Sequence, residues 1–428
     1  MTPAILPGPR TCLRGIVRLP PSKSLTNRAL VAAAAAGGGT VVAPLDCDDT
    51  RVLARALGEA GWQIDWNSDI RVGERRIPAH RVALDLADSG TGARLILGLL
   101  AASSGRCIID GSRRLRERPL RQLLTPLSEL GAVVRSTGGR LAVEVDGQTL
   151  DGGAVVVRPE VSSQFVSSLL MAAPLMRFGL RVTIDGQLPS APYLDLTKDV
   201  LHAFGARVEA AVDRRQWRVW PGRLEPTRYP VEGDWSAAAF FAAAAAVTGG
   251  TVELGPLDCA SRQGDRAVLD ILARGGLSFE QQLGGFVRIS GPVHETLQAD
   301  LVASPDLFPA LAVVCAAGRP GSKLCGLDYL RHKESDRLAL MAANLHRLGA
   351  RVRVDGTTFE VEKTMTRVPG MPRRVTAGGD HRIAMAMAVA ALVAGPLELD
   401  DTGCVAKSFP EFWERWSGVT EEGAEGAV

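Results

Sequence analysis

The stretch NRALVAAAAAGGGTVVAPL, residues 27–45, decides the fold. Its first half is a run of small apolar residues. On a helix such a run has no face polar enough to meet water, so it belongs inside a domain. Three glycines break the run and TVV supplies a short β-branched strand. TRVLARALGEAGW follows at 50–62, apolar on one side, charged on the other and stopped by Gly61, which reads as an amphipathic helix lying outside the first.

The pattern returns at intervals of about 70 residues. ARLILGLLAASSGRCIIDG begins at Ala93, SQFVSSLLMAAPLMRFGLRVTIDG at Ser163, DWSAAAFFAAAAAVTGGTVEL at Asp234, DLFPALAVVCAAGRPGSKLCGL at Asp306 and DHRIAMAMAVAALVAGPLEL at Asp380. Outer helices follow as RPLRQLLTPLSELGAVV, LDLTKDVLHAFGARV, RAVLDILARGGLSF and DRLALMAANLHRLGARV. Six repeated βαβαβ-type units make this an α/β chain in two lobes, three units per lobe around inner helices with short sheets outside. A boundary is expected after the Pro- and Arg-containing WPGRLEPTRYPVEGD, giving one lobe over 20–230 and a second from 1–19 with 231–428. A strand near 11–19 precedes the first unit and is expected to pair in the second lobe, while the tail TEEGAEGAV is expected to fray.

Composition narrows the function. With 46% hydrophobic and 22% charged residues the chain of 428 folds into a large core. Its 49 Lys plus Arg against 47 Asp plus Glu are too balanced to hold nucleic acid by charge, and 3 Tyr leave little stacking surface, so any anion-binding surface is local. The seven cysteines are odd in number and never spaced C-x-x-C, and are read as reduced thiols. No segment joins a basic region to a long apolar run, so neither membrane nor export is expected and the chain is placed in the cytoplasm. P-loop, zinc-helix, nucleophile-elbow and EF-hand patterns are all missing.

What the sequence offers instead is polar residues at the starts of the inner helices. Unpaired N–H groups and partial positive charge at helix N-termini make such places suited to anions. PPSKSLTNRAL brings Lys23, Ser24 and Arg28 there; RRLRERPLR brings Arg113, Arg114, Arg116, Arg118 and Arg121; SSQF brings Ser162, Ser163 and Gln164; GGDHRIAMA brings Asp380, His381 and Arg382. Each segment alone reads equally as a capped helix with solvated charge. In HKESDR, a helix would set Lys333 and Arg337 four apart with like charge, a cost that an anion between them would remove, unless Glu334 and Asp336 already neutralise both. Asp306 is either an N-cap or an acid placed among bases. Only six of the 49 basic residues are lysines, and three of these, Lys23, Lys333 and Lys407, lie in such segments, where an ammonium that can pass on a proton has a use that Arg does not.

In order and spacing, PPSKSLTNRA, LADSGTGARLIL, RLRERPL, SSQF, PSAPYLDLT, EGDWSAAAFF, SPDLFPALA, RHKESDRL, GDHRIAMA and VAKSFPEF resemble the 5-enolpyruvylshikimate-3-phosphate synthase family across nearly the whole chain. The resemblance implies a two-lobed enolpyruvyl-transferase-like fold with its site in the cleft between lobes. It also implies transfer of the enolpyruvyl group of phosphoenolpyruvate to the 5-hydroxyl of shikimate 3-phosphate, with no metal or organic cofactor, in a monomer of chorismate and aromatic amino acid biosynthesis. Carried onto this chain, it gives shikimate 3-phosphate to Lys23, Ser24, Arg28, Ser162, Ser163, Gln164, Ser190, Tyr193, Asp306 and Lys333. Phosphoenolpyruvate goes to Lys23, Gly90, Arg118, Gln164, Arg337, Arg382 and Lys407. Asp306 and Glu334 are the acid/base pair, assisted by Lys23 and Lys407. The space at Gly90 implies sensitivity to glyphosate.

Three positions depart from the pattern: Asp88 and Ser89 stand where the family usually has Asn and Ala, and Tyr329 where a smaller polar or acidic residue is usual. A carboxylate at Asp88 would repel phosphate unless paired. The sister transferase acting on UDP-N-acetylglucosamine carries a reactive Cys where this chain has Arg113. A non-catalytic or RNA-processing relative of the same repeat fold would not need Lys23, Asp306, Glu334 and Lys407, and the balanced charge stands against RNA.

Overall fold

The computed structural model describes residues 4–8, 13–367 and 371–420; Cys12 and the tail after Thr420 lie outside the described residues. The chain forms two compact units, Pro21–Val231 and Met1–Pro20 with Glu232–Val428, called here the 21–231 and 232–428 units.

In the 21–231 unit the helices are α1 (Lys23–Ala35), α2 (Asp48–Glu59), α3 (Gly90–Ala101), α4 (Arg113–Glu117), α5 (Arg121–Glu129), α6 (Gln164–Ala172) and α7 (Pro192–Ala203). As the all-round apolar sequences require, α1, α3 and α6 are inside; every α3 residue but Thr91 is buried. The outer α2 buries Leu53, Ala54, Ala56 and Leu57 and turns Arg51 and Arg55 to water. The close approach of α3 to α6 depends on Gly98, where a Cβ would lie 2.4 Å from Ser168 Oγ. Ser168 Oγ donates to the Arg94 carbonyl at 2.6 Å across the same crossing.

Three four-stranded sheets wrap these helices. Each follows one scheme: Val82–Asp85 runs parallel to Gly105–Asp110, which pairs antiparallel with Val143–Gly147, itself antiparallel to Val133–Ser136. Alternation sends Cys107, Ile109, Val143 and Val145 inward. The parallel neighbour of Gly39–Val42 is Arg228–Pro230 from the far end of the unit.

The 232–428 unit repeats the plan with α8 (Trp235–Thr248), α9 (Ala267–Ala273), α10 (Phe308–Ala317), α11 (Arg337–Arg347), α12 (His381–Ala394) and α13 (Phe412–Thr420). Its inner helices are α8, α10 and α12, and Ala237 through Ala246 of α8 are buried without a break. The early strand expected near 11–19 is Arg14–Arg18, parallel to Thr251–Gly255 inside this unit. The sheet of the sixth repeat has three strands, its third being Ala4–Leu6 against Leu397–Leu399. No described helix is long and apolar enough to cross a membrane.

Candidate active site

Within each unit the helix starts gather as the repeat suggests, and they bring most of the nominated residues together. In the 21–231 unit Arg28, 1% exposed, is the centre of one group. Its Nε donates to Thr197 Oγ1 at 2.8 Å, Nη1 to the Ser24 carbonyl at 2.9 Å, and Nη2 to the Tyr193 carbonyl at 3.3 Å and Ser167 Oγ at 3.4 Å. All these acceptors are neutral, and no carboxylate pairs with Arg28 among the described residues. Burial pulls its pKa down to about 10, so the guanidinium stays charged at neutral pH inside protein. One turn before α7, Ser190 holds the left-handed region at φ 54°, a strain of about 1–3 kcal/mol that a serine tolerates only where its surroundings impose it.

A second group joins α3 to α6. Gln164 Nε2 donates to Thr91 Oγ1 at 2.8 Å, and Arg94 Nη1 donates to Gln164 Oε1 at 2.6 Å and to Ser162 Oγ at 3.5 Å. Ser163 is the N-cap residue of α6 and is buried, without a side-chain cap bond. Arg118 follows α4 and lies over the start of α3: a Cβ on Gly90 would sit 2.5 Å from Arg118 Nη1. Lys23 Nζ meets Asp49 Oδ2 at 2.9 Å, near enough to the α3 cap for Ser89 Oγ to reach the Asp49 carbonyl at 3.4 Å. The added acid Asp88 accepts the hydroxyl of Ser112, whose Oγ in turn caps α4 by accepting from Leu115 N at 3.1 Å.

In the 232–428 unit cations and acids interleave. Arg337, buried at the start of α11, donates Nη1 to Asp306 Oδ1 at 2.7 Å, Nη2 to Glu334 Oε2 at 2.9 Å and Nε to Asp380 Oδ2 at 2.8 Å. Lys333 Nζ is 3.1 Å from Asp306 Oδ1, Arg382 Nη2 is 3.3 Å from Asp306 Oδ2, and Lys407 Nζ is 3.7 Å from Glu334 Oε1. Asp380 also caps α12 through Arg382 N at 3.0 Å.

Two alternatives that local sequence leaves open are decided by the packing. HKESDR is not one helix: Lys333 ends the short turn Asp328–His332 in an extended conformation and α11 begins only at Arg337, with Asp336 as its cap. The anion between Lys333 and Arg337 is the carboxylate of Asp306. Asp306 itself is no N-cap of α10 but sits on the turn Pro305–Leu307, which frees both its oxygens for cations.

The electrostatics follow from the geometry. Burial pushes the Asp306 carboxyl up, but Arg382, Lys333 and Arg337 outweigh it and hold it well below the usual carboxylate range. Burial likewise lowers Lys333, against the pull of Asp306. For Arg337 burial is overcome by Asp380, Glu334 and Asp306, which raise it above its ordinary value. His381 is buried beside this network, Nδ1 3.8 Å from Asp380 Oδ1. Tyr329 is buried with no hydrogen-bond partner for its hydroxyl among the described residues, and burial pushes it up to about 12. No described group of His, Cys, Asp and Glu has the makings of a metal site.

The sequence reading passed over Asp49, Arg94, Thr91, Ser167 and Thr197. Arg94 carried a usable signal, a lone charge in the apolar run ARLILGLLA. The hydroxyl partners carried none.

Apolar helices inside, small sheets outside, and acids set among cations define an α/β protein with two clusters of buried polar groups. Residues 8–416 match the family model described as EPSP synthase (3-phosphoshikimate 1-carboxyvinyltransferase), and the chain belongs to that family. The 3-phosphoshikimate 1-carboxyvinyltransferase of Methanoculleus marisnigri is 39% identical over 93% of this chain and 95% of its own length. That of Methanospirillum hungatei is 35% identical over 92% and 93%. Among solved structures, EPSP synthase from Acinetobacter baumannii superposes with a TM-score of 0.79 at 27% identity, covering 98% of each chain. The enolpyruvyl transferase NikO from Streptomyces tendae shares the fold at 19% identity, with a TM-score of 0.74 over 97% of each chain.

Proposed function

We propose that this chain transfers the enolpyruvyl group of phosphoenolpyruvate to the 5-hydroxyl of shikimate 3-phosphate and releases phosphate. Two acids on one guanidinium carry this reading: Asp306 and Glu334 both bond Arg337, with Lys333, Arg382 and Lys407 around them. Addition needs a base for the hydroxyl and an acid for the methylene carbon of the donor; elimination then reverses the proton demand and expels phosphate. Asp306 and Glu334 are the two proton carriers.

In the free protein, Asp306 occupies cations that the substrates want. Donor phosphate and carboxylate take Arg337, Arg382 and Lys407, and the acceptor takes Lys333. Each cation drawn away returns proton affinity to Asp306, so substrate binding itself prepares the base. Arg28, with Ser24 and Tyr193 beside it, brings an unmatched positive charge for the acceptor's phosphate, and Gln164, fixed by Thr91 and Arg94, supplies directed donors. Arg118 and Lys23 complete the donor set and stabilise charge building on the leaving phosphate.

The enzyme acts on these small molecules as a cytoplasmic monomer; light scattering of the purified protein checks the oligomeric state. The test of function is phosphate release with phosphoenolpyruvate and shikimate 3-phosphate, without added metal and with UDP-N-acetylglucosamine as parallel acceptor. Release that requires shikimate 3-phosphate is the expected result, and silence with both acceptors refutes the reading. Arg113, its side chain exposed, stands against the UDP-N-acetylglucosamine alternative.

A further inference from the structure

Asp265 is an acid for which the reaction above has no use. It sits on the short turn Gly264–Arg266 and is 1% exposed. The turn is clamped to the start of α8, because Gln263 Oε1 accepts from Trp235 N at 3.2 Å while its Nε2 donates to the Gly233 carbonyl at 2.8 Å. Ser236, in the first turn of α8, donates its hydroxyl to Asp265 Oδ2. The other oxygen, Oδ1, is buried without a hydrogen-bond partner among the described residues. A buried carboxylate oxygen left without a donor is costly, and a carboxyl escapes that cost by keeping a proton.

The same helix α8 also packs against the turn Pro305–Leu307 that carries Asp306. The charged groups whose fields reach Asp265 are Asp306, Arg382 and Asp234, the last being the α8 cap. From α9, which packs on the same turn, the inward residues are Val268, Leu269, Ile271 and Leu272, all apolar. Asp265 therefore shares a poorly solvated region with the carboxylate that three cations hold. Burial first, then the charge of Asp306, push the Asp265 carboxyl up to about 6, against Arg382 and the Ser236 hydroxyl.

We propose that Asp265 is a positioning residue for Asp306: its negative charge offsets the cations around Asp306 and keeps that carboxylate basic enough to accept a proton, and protonation of Asp265 removes the offset. The proposal rests on the reading of Asp306 as a proton carrier. Three cations alone make Asp306 a weak base. A second carboxylate nearby raises its proton affinity, since like charges disfavour ionisation. The charge of Asp265 lends nothing to the binding of anionic substrates and works slightly against it.

The experiment is kcat and KM for both substrates as functions of pH, in the unsubstituted protein, Asp265→Asn and Ser236→Ala. Infrared difference titration of the free proteins is run in parallel. The unsubstituted enzyme is expected to lose kcat as pH falls through about 6. Asp265→Asn should lower kcat on the order of tenfold at neutral pH, abolish that acid limb and leave KM for phosphoenolpyruvate unchanged or smaller. A residue needed only for packing would give lower stability and a higher KM with the limb intact. Ser236→Ala removes a donor that favours the carboxylate, so the limb should move to higher pH. In the infrared, a carboxyl band titrating near 6 should vanish in Asp265→Asn. An active parent whose limb and kcat survive Asp265→Asn, or a free protein with no such band, overturns the proposal and leaves the reaction assignment standing. A parent that releases no phosphate with shikimate 3-phosphate overturns both.

Discussion

Two clusters built on the same repeat, one centred on an arginine of the inner helix α1 and the other on the first residue of the outer helix α11, solve the problem of buried cations in opposite ways. In the 21–231 unit Arg28 is surrounded by hydroxyls and carbonyls and pairs with no acid among the described residues, whereas in the 232–428 unit Arg337 meets three carboxylates. A buried charge with neutral partners pays for its desolvation without a counter-ion, and an anionic ligand supplies what is missing. A network of alternating signs is complete by itself, and what it offers a reaction is control over the proton affinity of its acids. On the proposed function the first cluster serves as the anion receptor and the second as a set of acids held in tune by cations. Lys23, paired with Asp49, is the member of the receptor that resembles the other cluster, as befits a lysine assigned to both substrates.

The strongest break in that contrast is Glu334→Gln. It keeps shape and the Arg337 bond through its carbonyl oxygen but cannot carry a proton, so turnover should fall by roughly 10²–10⁴ while shikimate 3-phosphate still binds. Phosphate-release rates beside calorimetric titration of the acceptor check it, and full activity removes Glu334 from the mechanism. The next pair reads stability. Arg337→Met takes the guanidinium from the buried Asp380 and one partner each from the half-buried Asp306 and Glu334, and should cost about 3–5 kcal/mol in denaturant unfolding. Arg28→Met strands no acid and should change stability by no more than about 2 kcal/mol, the scale of a few lost hydrogen bonds. In exchange it should weaken acceptor binding on the order of 10²-fold or more, as loss of one partner of a buried charge pair does. Equal stability losses in the two variants would erase the distinction drawn between the clusters.

Legibility in the sequence followed the same division. The repeat was readable because an alanine-rich run such as DWSAAAFFAAAAAVTGG has one physical home, the interior, and a glycine stop. The cations were readable because they sit at the starts of those runs. Their partners were not. Thr197 and Ser167 lie 30 positions apart and reach Arg28 only through packing of α6 and α7, and Asp49, at the start of α2, meets Lys23 across 26 residues of chain. In HKESDR the helix start at DRLAL was readable, but the partner of Lys333 was not, because Asp306 lies 27 residues earlier and meets it only through packing. Asp265 gave no signal, since GDR is an ordinary turn until Ser236 and Asp306 are packed around it.

A smaller effect sharpens the receptor half. At Gly90 an added Cβ would meet Arg118 Nη1 at 2.5 Å and Cζ at 2.9 Å, and the group that must give way is the far end of a flexible side chain. Gly90→Ala should therefore leave the fold intact and displace the guanidinium, raising KM for phosphoenolpyruvate by about tenfold, or 1.4 kcal/mol, with kcat and the KM for shikimate 3-phosphate little changed. Steady-state kinetics decide it, and a rise confined to the acceptor's KM would move Arg118 out of the donor set.

The smallest expected effect is on stability in acid, and it separates the clusters without any substrate. Cations hold the Asp306 carboxyl below its ordinary value in the folded protein despite burial. A depressed folded pKa contributes stability that is fully present above the unfolded value, about 3.9, and is lost as pH falls through the folded one. Below about pH 4 the first turns of α10 and α11 should thus lose protection from hydrogen exchange. At the start of α6, where Gln164 meets Thr91 and Arg94, the first turn holds no acid to protonate, so it should keep its protection over the same range. Asp306→Asn moves the loss at α10 and α11 to neutral pH, because the contribution is then missing at every pH. Hydrogen exchange followed by mass spectrometry at a series of pH values reads both units in one experiment, and simultaneous loss at α6 would show that the ion network does not act as a separate electrostatic body.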